Sequence, residues 1–164
     1  GVQRDGVSVA GAVADVAAGV VYSAALGHGA RLTVGGNSTP LHCSTATELS
    51  MALVGTGFSY QRDERSRQGE IVARLLSDVR DLRRFGSCAL DLCMVAAGRL
   101  DAYYEDGVQV WDWAAGALIA AEAGAQVHAP RPAGPGLIVA AAPGLAAEFG
   151  EALARCGAVE SGPR

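Results

Sequence analysis

The sequence predicts a layered α/β fold with a mixed β-sheet, and three features support this prediction. Short apolar, β-branched segments separated by glycine fill residues 6–36, and helical and extended patterns alternate from residue 87 onward. Half of the 164 residues are hydrophobic and 18% are charged, which is enough apolar material for one buried core. Strands followed by alternating helices and strands are typical of sheets and helices packed in layers.

The first third of the chain is predicted to be an antiparallel meander, because its extended segments are joined by tight glycine turns. A polar loop should follow over 40–47 and a longer strand over 48–58. The strands expected in the meander are 7–13, 19–24 and 31–34.

An amphipathic helix is predicted from residue 64 to about 80, with Ile71, Leu75 and Leu76 on one face. Arginines and acidic residues interleave along this region, which indicates a solvated helix face with i,i+4 pairs. The net charge is −4 and no basic cluster lies beside aromatic residues, which argues against nucleic-acid binding. The arginines are Arg62, Arg65, Arg67, Arg74, Arg80, Arg83 and Arg84, and the acids are Asp63, Glu64, Glu70, Asp78 and Asp81.

The second half of the chain should alternate between helices and strands. Ser87 is the expected N-cap of a helix that runs to Ala97, and Asp91 is expected to favour its first turn through the helix dipole. A loop is expected over 130–135, and the tail from Gly157 is expected to fray. The remaining elements are a strand over 100–104, a helix over 112–123, strands over 126–128 and 137–142, and a helix over 143–155.

Asp112 is the most informative single residue, because it is the one charge at the start of an otherwise apolar helix. It lies between Trp111 and Trp113, the only two tryptophans of the chain. An acid in apolar surroundings needs compensation, either from the free N–H groups of the helix start or from a cation. Spacing alone favours the capping role. Core packing is the expected role of the tryptophans, which would also exclude water from Asp112.

Two blocks of sequence resemble the inositol monophosphatase family. The first runs from Phe85 to Glu105 and contains a G-S-C helix start and a D-x-Y-x-E ending; the second is W-D-W-A-A-G-A-L-I-A-A-E-A-G-A at 111–125. On these blocks the chain is identified as a member of that family. The resemblance implies the stacked α-β-α-β-α sandwich of sugar phosphatases, of which this chain would supply the later layers.

The resemblance also implies roles for five residues. Asp112 corresponds to an aspartate that binds catalytic Mg²⁺, and Glu105 corresponds to a glutamate that accepts hydrogen bonds from the inositol ring. Gly86, Ser87 and Cys88 correspond to a segment beside the substrate, although the family usually has alanine at the position of Cys88. Capping by Ser87 and an exposed strand-end acid at Glu105 are the structural alternatives.

The D-P-x-D-G-T signature of the family, which supplies further metal-binding aspartates, is not present in these 164 residues. Residues 1–164 are therefore expected to be the C-terminal portion of a single domain, with no second domain. We expect negligible phosphatase activity from this chain alone.

The intact protein is expected to be a Mg²⁺-dependent phosphatase acting on inositol monophosphate, with lithium sensitivity and a homodimeric assembly implied by the resemblance. Alternatives are a related phosphatase for fructose 1,6-bisphosphate, 3′-phosphoadenosine 5′-phosphate or histidinol phosphate, or a non-catalytic dimerising fragment. No signal peptide or membrane-spanning run is evident, and the four cysteines have no zinc spacing. A cytoplasmic location with a small phosphorylated substrate, no nucleic acid and no membrane partner is expected.

Overall fold

The structure is a computed structural model that describes residues 1–130 and 136–158. Most of the predicted loop at 130–135, and the tail beyond residue 158, lie outside the described residues. The described part of the chain forms two five-stranded sheets and four α-helices, so the layered α/β prediction with a mixed sheet is confirmed.

The first sheet is an antiparallel meander in which the strands follow sequence order. Its last strand was not predicted, because all four of its residues are polar or proline and exposed. Gly35 and Gly36 both have positive φ, which is the backbone that a two-residue hairpin turn requires, and Val34 pairs with Asn37. The strands are β1 (Val2–Arg4), β2 (Val7–Asp15), β3 (Val20–Ala25), β4 (Ala30–Val34) and β5 (Asn37–Pro40).

The second sheet is mixed and has the order β7-β6-β8-β10-β9. Its strands are β6 (Leu53–Thr56), β7 (Asp81–Arg83), β8 (Ala102–Val108), β9 (Gln126–His128) and β10 (Gly136–Ala141). β6 is parallel to β7 and β8, whereas β10 is antiparallel to β8 and β9. The prediction of one strand over 48–58 was wrong, because a 3-10 turn at Leu49–Met51 precedes the short β6. The three-residue, charged edge strand β7 was not predicted.

The helices are α1 (Arg62–Leu75), α2 (Cys88–Ala96), α3 (Val110–Glu122) and α4 (Ala146–Cys156). α1 ends about five residues earlier than predicted, so Ile71 and Leu75 are buried as expected but Leu76 is 51% exposed. Among the described residues, one arginine makes an i,i+4 pair, Arg74 with Glu70 at 3.5 Å, whereas the other ion pairs lie elsewhere. No helix in residues 1–130 and 136–158 has the length and apolar character that crossing a membrane requires.

The elements stack in four layers. α2 and α3 lie between the two sheets, and α1 and α4 cover the other face of the second sheet. Strand β8 divides the two apolar clusters: Tyr103 belongs to the cluster around α2 and α3, while Tyr104 belongs to the cluster around α1 and α4 and packs edge-on against Phe149. This alternation follows from the two-residue period of a strand.

Helix α3 approaches its neighbours at backbone distance. A Cβ added to Gly11 of β2 would lie 2.9 Å from Cα of Ala115, and one added to Gly116 would lie 2.9 Å from Cβ of Leu92 and 3.0 Å from the Ala89 carbonyl oxygen. Even the methyl group of alanine would be too close to its neighbours at either glycine. The small residues of α3 therefore allow it to lie between the first sheet and α2.

The end of α3 is fastened to the first sheet by Glu122. Its Oε1 accepts a hydrogen bond from the amide of Gly27 at 2.8 Å, and its Oε2 accepts one from the amide of Gly29 at 2.7 Å. These donors hold the pKa of Glu122 below its usual range. The helix ends at Glu122, and Gly124, two residues later, has the positive φ that commonly follows a helix C-terminus.

Asp91 is a buried carboxyl group in the wall between α2 and the second sheet. Asp91 is an acid in the first turn of α2, as predicted, but its side chain is 1% exposed and points to the sheet, with Oδ1 close to Gly55. Neither oxygen has a hydrogen-bonding partner among the described residues. Burial, followed by the nearby charge of Glu105, raises the pKa of Asp91 to about 7, although Arg84 acts in the opposite direction.

Replacing Gly116 with alanine should destabilise the protein, although alanine normally stabilises a helix by about 1 kcal/mol relative to glycine. The added methyl group meets a Cβ and a backbone carbonyl that cannot move away independently, and such overpacking costs roughly 1–3 kcal/mol. Gly69→Ala in α1 is the matched control, because nothing lies within 4 Å of its added Cβ. Urea unfolding should show a lower midpoint for Gly116→Ala and a higher one for Gly69→Ala; equal midpoints would contradict the close packing of α3.

The ionisation of Asp91 should make the protein less stable as pH rises. An unfolded aspartate titrates near pH 3.9, whereas the pKa of folded Asp91 is about 7, so its contribution is complete below about pH 4 and is lost as pH rises through about 7. At about 1.4 kcal/mol per pK unit, the change is on the order of 4 kcal/mol. Asp91→Asn should flatten this part of the curve of unfolding free energy against pH, and an unchanged slope in the variant would contradict the argument.

Candidate active site

A cavity of about 500 Å³ lies where β8 and the N-termini of α2 and α3 come together. All five residues that the sequence singled out line this one cavity, namely Gly86, Ser87, Cys88, Glu105 and Asp112. They lie at the start of α2, on β8 and on α3, and the first and last of them, Gly86 and Asp112, are 26 positions apart in the sequence. The packing of these three elements therefore brings them together. Their chemical roles remain predictions.

Asp112 is the third residue of α3, which begins at Val110 rather than at Asp112 as predicted. Its Oδ2 accepts a hydrogen bond from the backbone amide of Gln109 at 2.9 Å, so the carboxylate does help to cap the helix. Its Oδ1 accepts no hydrogen bond from residues 1–130 and 136–158. Capping by one oxygen thus leaves the other available to a ligand, and the two roles considered for Asp112 are compatible.

The two tryptophans beside Asp112 have different environments. Trp113 is 6% exposed and packs in the core as expected. The same expectation for Trp111 was wrong, because its side chain is 78% exposed in this chain and lines the cavity. Positions two apart on a helix differ by about 200° in direction, so both cannot face the core.

The start of α2 forms a second wall of the cavity. Ser87 is the N-cap, as predicted, and its Oγ accepts a hydrogen bond from the amide of Leu90 at 3.4 Å. Gly86 has φ of +95° and its exposed face is covered by Arg84, whose Nη1 would lie 2.6 Å from an added Cβ. Arg84 was interpreted from sequence as one of many solvated arginines, and its place at the cavity was not foreseen.

Cys88 is buried at the first position of α2, beside the hydroxyl of Tyr103. Burial raises the pKa of its thiol to about 12, so the group is protonated at neutral pH. A protonated thiol is a poor nucleophile. Cys88 therefore shapes the wall of the cavity and offers no covalent chemistry there.

Glu105 is half-buried, and its carboxylate is enclosed by two neighbours. The hydroxyl of Tyr103 donates a hydrogen bond to Oε2, and Gly57, which follows directly after β6, lies against the carboxylate. Burial raises the pKa of Glu105, against the opposing effects of the Tyr103 hydrogen bond and of Arg84. The sequence assigns no role to Gly57.

The rest of the lining comes mainly from the loop after β6 and from the end of β8, which sequence reasoning did not assign to the site. These residues are Phe58, Ser59, Tyr60, Glu64, Ala89, Asp106, Gly107 and Val108. The exposed Tyr60 and Trp111 give the rim an aromatic character, and Arg84 adds a positive charge. The one available sequence signal was the pair of aromatic residues that follows Gly57.

A magnesium site needs several oxygen ligands that converge on the ion. The described residues contain no cluster of three or more His, Cys, Asp or Glu side chains that could hold a metal ion. Mg²⁺ prefers octahedral oxygen ligands, and the Oδ1 atom of Asp112 is of the right type. Asp112 thus fits one position of such a site, and the remaining protein ligands have to come from outside the described residues.

The chain is similar in sequence and in structure to known proteins. An inositol-1-monophosphatase, SuhB, of Mycobacterium tuberculosis is 61% identical over 166 residues, covering 99% of this chain and 57% of that protein. The solved structure of M. tuberculosis SuhB superposes with a TM-score of 0.91 at 61% identity, covering 96% of this chain and 63% of that one. The chain therefore spans a little over half the length of this relative.

More distant solved structures have the same fold. Inositol monophosphatase II from Staphylococcus aureus is 31% identical with a TM-score of 0.74, covering 90% of this chain and 55% of that one. Structures of SaIMPase-II hold inositol monophosphate in one case and 2′AMP in another. The sequence profile of the inositol monophosphatase family matches residues 1–159. The chain therefore belongs to the inositol monophosphatase family.

Proposed function

We propose that the intact protein is a Mg²⁺-dependent phosphomonoester hydrolase that acts on inositol monophosphate. The observation that carries this proposal is the convergence of Asp112, Glu105 and the α2 start, 86–88, on one cavity of about 500 Å³. Family membership, together with the mycobacterial relative named inositol-1-monophosphatase, supports the same substrate class.

Hydrolysis of a phosphate monoester is extremely slow in water, so the site must stabilise negative charge on the phosphoryl group. Bound Mg²⁺ would supply charge neutralisation and an activated water. In this chain Asp112 would hold the metal through Oδ1, while its Oδ2 is held by the amide of Gln109. A carboxylate anchored in this way keeps a fixed position at the helix start, which favours a defined metal geometry.

The polyol part of the substrate would lie between Glu105 and the start of α2. Glu105 is an acceptor for the hydroxyl groups of a sugar or cyclitol, and free amides at a helix N-terminus favour hydroxyl or anionic groups. The guanidinium of Arg84, over Gly86, would add attraction for the phosphate. The cavity thus offers one acidic wall for hydroxyls and one positive edge for the anion.

This chain would be the C-terminal portion of a single catalytic domain. The further metal ligands would come from the part of the protein that corresponds to the rest of its relatives, since Asp112 alone does not make a metal site. A homodimeric assembly and lithium inhibition are proposed on the family resemblance. The four cysteines are free thiols, which is typical of a reducing compartment and supports a cytoplasmic location.

A related phosphatase with a nucleotide substrate is the alternative favoured by a specific observation. The rim carries the exposed aromatic residues Tyr60 and Trp111, which could stack on a base, and SaIMPase-II has been seen with 2′AMP. The acidic wall at Glu105 favours a polyol over a base, because a carboxylate accepts hydrogen bonds from adjacent hydroxyls. Inositol monophosphate is therefore the leading substrate.

Asp112→Asn should lower the Mg²⁺-dependent rate of the full-length protein by about two orders of magnitude or more, because a neutral amide is a weak ligand for Mg²⁺. Asp63→Asn, an exposed aspartate of α1 away from the cavity, is the matched control. Phosphate release should be measured across a magnesium titration. A normal rate for Asp112→Asn at saturating magnesium would exclude Asp112 from the metal site.

A substrate panel tests the proposed specificity. Full-length protein should release phosphate from inositol 1-phosphate with higher kcat/KM than from fructose 1,6-bisphosphate, 3′-phosphoadenosine 5′-phosphate or histidinol phosphate. The 164-residue chain, its mass verified, should show negligible turnover in the same assay. A higher kcat/KM for the nucleotide would make the nucleotide phosphatase the better supported function. Robust turnover by the 164-residue chain would contradict the argument that metal ligands from the rest of the protein are needed.

A further inference from the structure

We propose that Tyr103 is a positioning residue that fixes the carboxylate of Glu105 for the hydroxyl groups of a polyol phosphate, and that Gly57 is the residue that leaves room for it. This inference rests on the proposed function, because it explains how the same cavity would recognise its substrate. It adds two residues to which the sequence gave no role.

The first observation is the hydrogen bond from the Tyr103 hydroxyl to Oε2 of Glu105. The two residues are two positions apart on β8 and therefore point to the same face of the sheet. Tyr103 is 0% exposed and does not line the cavity, whereas Glu105 does. Tyr103 thus acts on the cavity through the lining residues that its hydroxyl contacts, Glu105 and Cys88.

The second observation is the space at Gly57. A Cβ built on this glycine would overlap the carboxyl carbon and both carboxylate oxygens of Glu105. The backbone of Gly57 does not have the positive φ that would itself demand glycine. The absence of a side chain at position 57 is therefore explained by the carboxylate that occupies the space.

The Tyr103 hydroxyl acts as a donor throughout the neutral pH range. Burial raises the pKa of this phenol far above its usual value, and the adjacent Cys88 thiol and Glu105 act in the same direction. A phenol has one proton to donate, and here it goes to Oε2. Oε1 accepts no hydrogen bond from the described residues and remains available to substrate hydroxyls.

This arrangement restricts a side chain that would otherwise be free to rotate. A glutamate at a strand end has several accessible rotamers, and an acceptor that is already oriented loses less entropy when substrate binds. Because Glu105 is held between the buried hydroxyl of Tyr103 and the backbone of Gly57, it should bind polyols more strongly than a freely rotating glutamate would. Substrates that lack neighbouring hydroxyls should gain nothing from it.

Tyr103→Phe in the full-length protein tests the role of the hydroxyl. We expect KM for inositol 1-phosphate to rise about tenfold, the equivalent of one lost hydrogen bond to a charged group, while kcat changes less than about threefold. KM for p-nitrophenyl phosphate, which has no polyol, should stay unchanged. Tyr104→Phe is the matched control, since it removes the same atom from the next residue, which packs in the other cluster.

Gly57→Ala tests the space independently of any effect of Tyr103→Phe on folding. The added methyl group should displace the Glu105 carboxylate and raise KM for inositol 1-phosphate by about tenfold or more, again with p-nitrophenyl phosphate unaffected. Gly69→Ala, in open space on α1, is its control. Thermal unfolding of all four variants shows which of them retain the fold.

The outcomes separate this inference from the proposed function. Wild-type protein that does not hydrolyse inositol 1-phosphate would overturn both. Active wild-type protein with unchanged KM in Tyr103→Phe and Gly57→Ala would overturn only the positioning role. An equal loss of activity on both substrates would also overturn it, because it would show that Tyr103 merely supports the fold; should Tyr103→Phe unfold, Gly57→Ala decides.

Discussion

The close packing of α3 is the constraint on which the rest of the structure depends. This helix lies between the first sheet and α2, and its contacts with Gly11 and Leu92 are too short for any larger side chain. Glu122 fastens its C-terminal end to the first sheet, and Asp112 caps its N-terminal end. Because both ends are fixed, the position of the Asp112 carboxylate is set by the packing of the whole middle layer and does not depend on a flexible loop.

The acidic groups in and beside the cavity have contrasting surroundings. Asp112 lies at the start of a helix, where backbone amides stabilise a negative charge. Glu105 and the neighbouring Asp91 lie deeper, where burial raises the pKa of both. Ionising Asp91 costs more free energy than ionising Glu105, because the oxygens of Asp91 have no hydrogen-bonding partner among the described residues. In the interior between α2 and β8, neutral groups are therefore more stable than charged ones, which favours neutral hydroxyl groups as ligands.

The sequence predicted the fold class, the meander and the helices α2 and α3, and it singled out five residues that line one cavity, because these depend on local patterns and on a resemblance over 85–125. It did not predict β5 and β7, since short polar edge strands have no apolar alternation to show. The predictions for Trp111 and Leu76 were wrong, and the burial of Asp91 was not foreseen, because the direction of a side chain depends on where a helix begins or ends and on what packs against it. Gly57, Tyr103 and Arg84 were missed as site residues because their roles depend on contacts between separate elements.

In the proposed function, recognition of substrate and stabilisation of charge are divided between different parts of the protein. The polyol side of the cavity would be supplied by this chain, since Tyr103 and Gly57 both contact Glu105. The metal side is not, because Asp112 has no neighbouring cluster of ligands among the described residues. Substitutions at 57 and 103 should therefore change which substrates bind, whereas the chemical step would depend on ligands that join Asp112 from elsewhere. Such a division would allow substrate preference to change while the metal site is preserved.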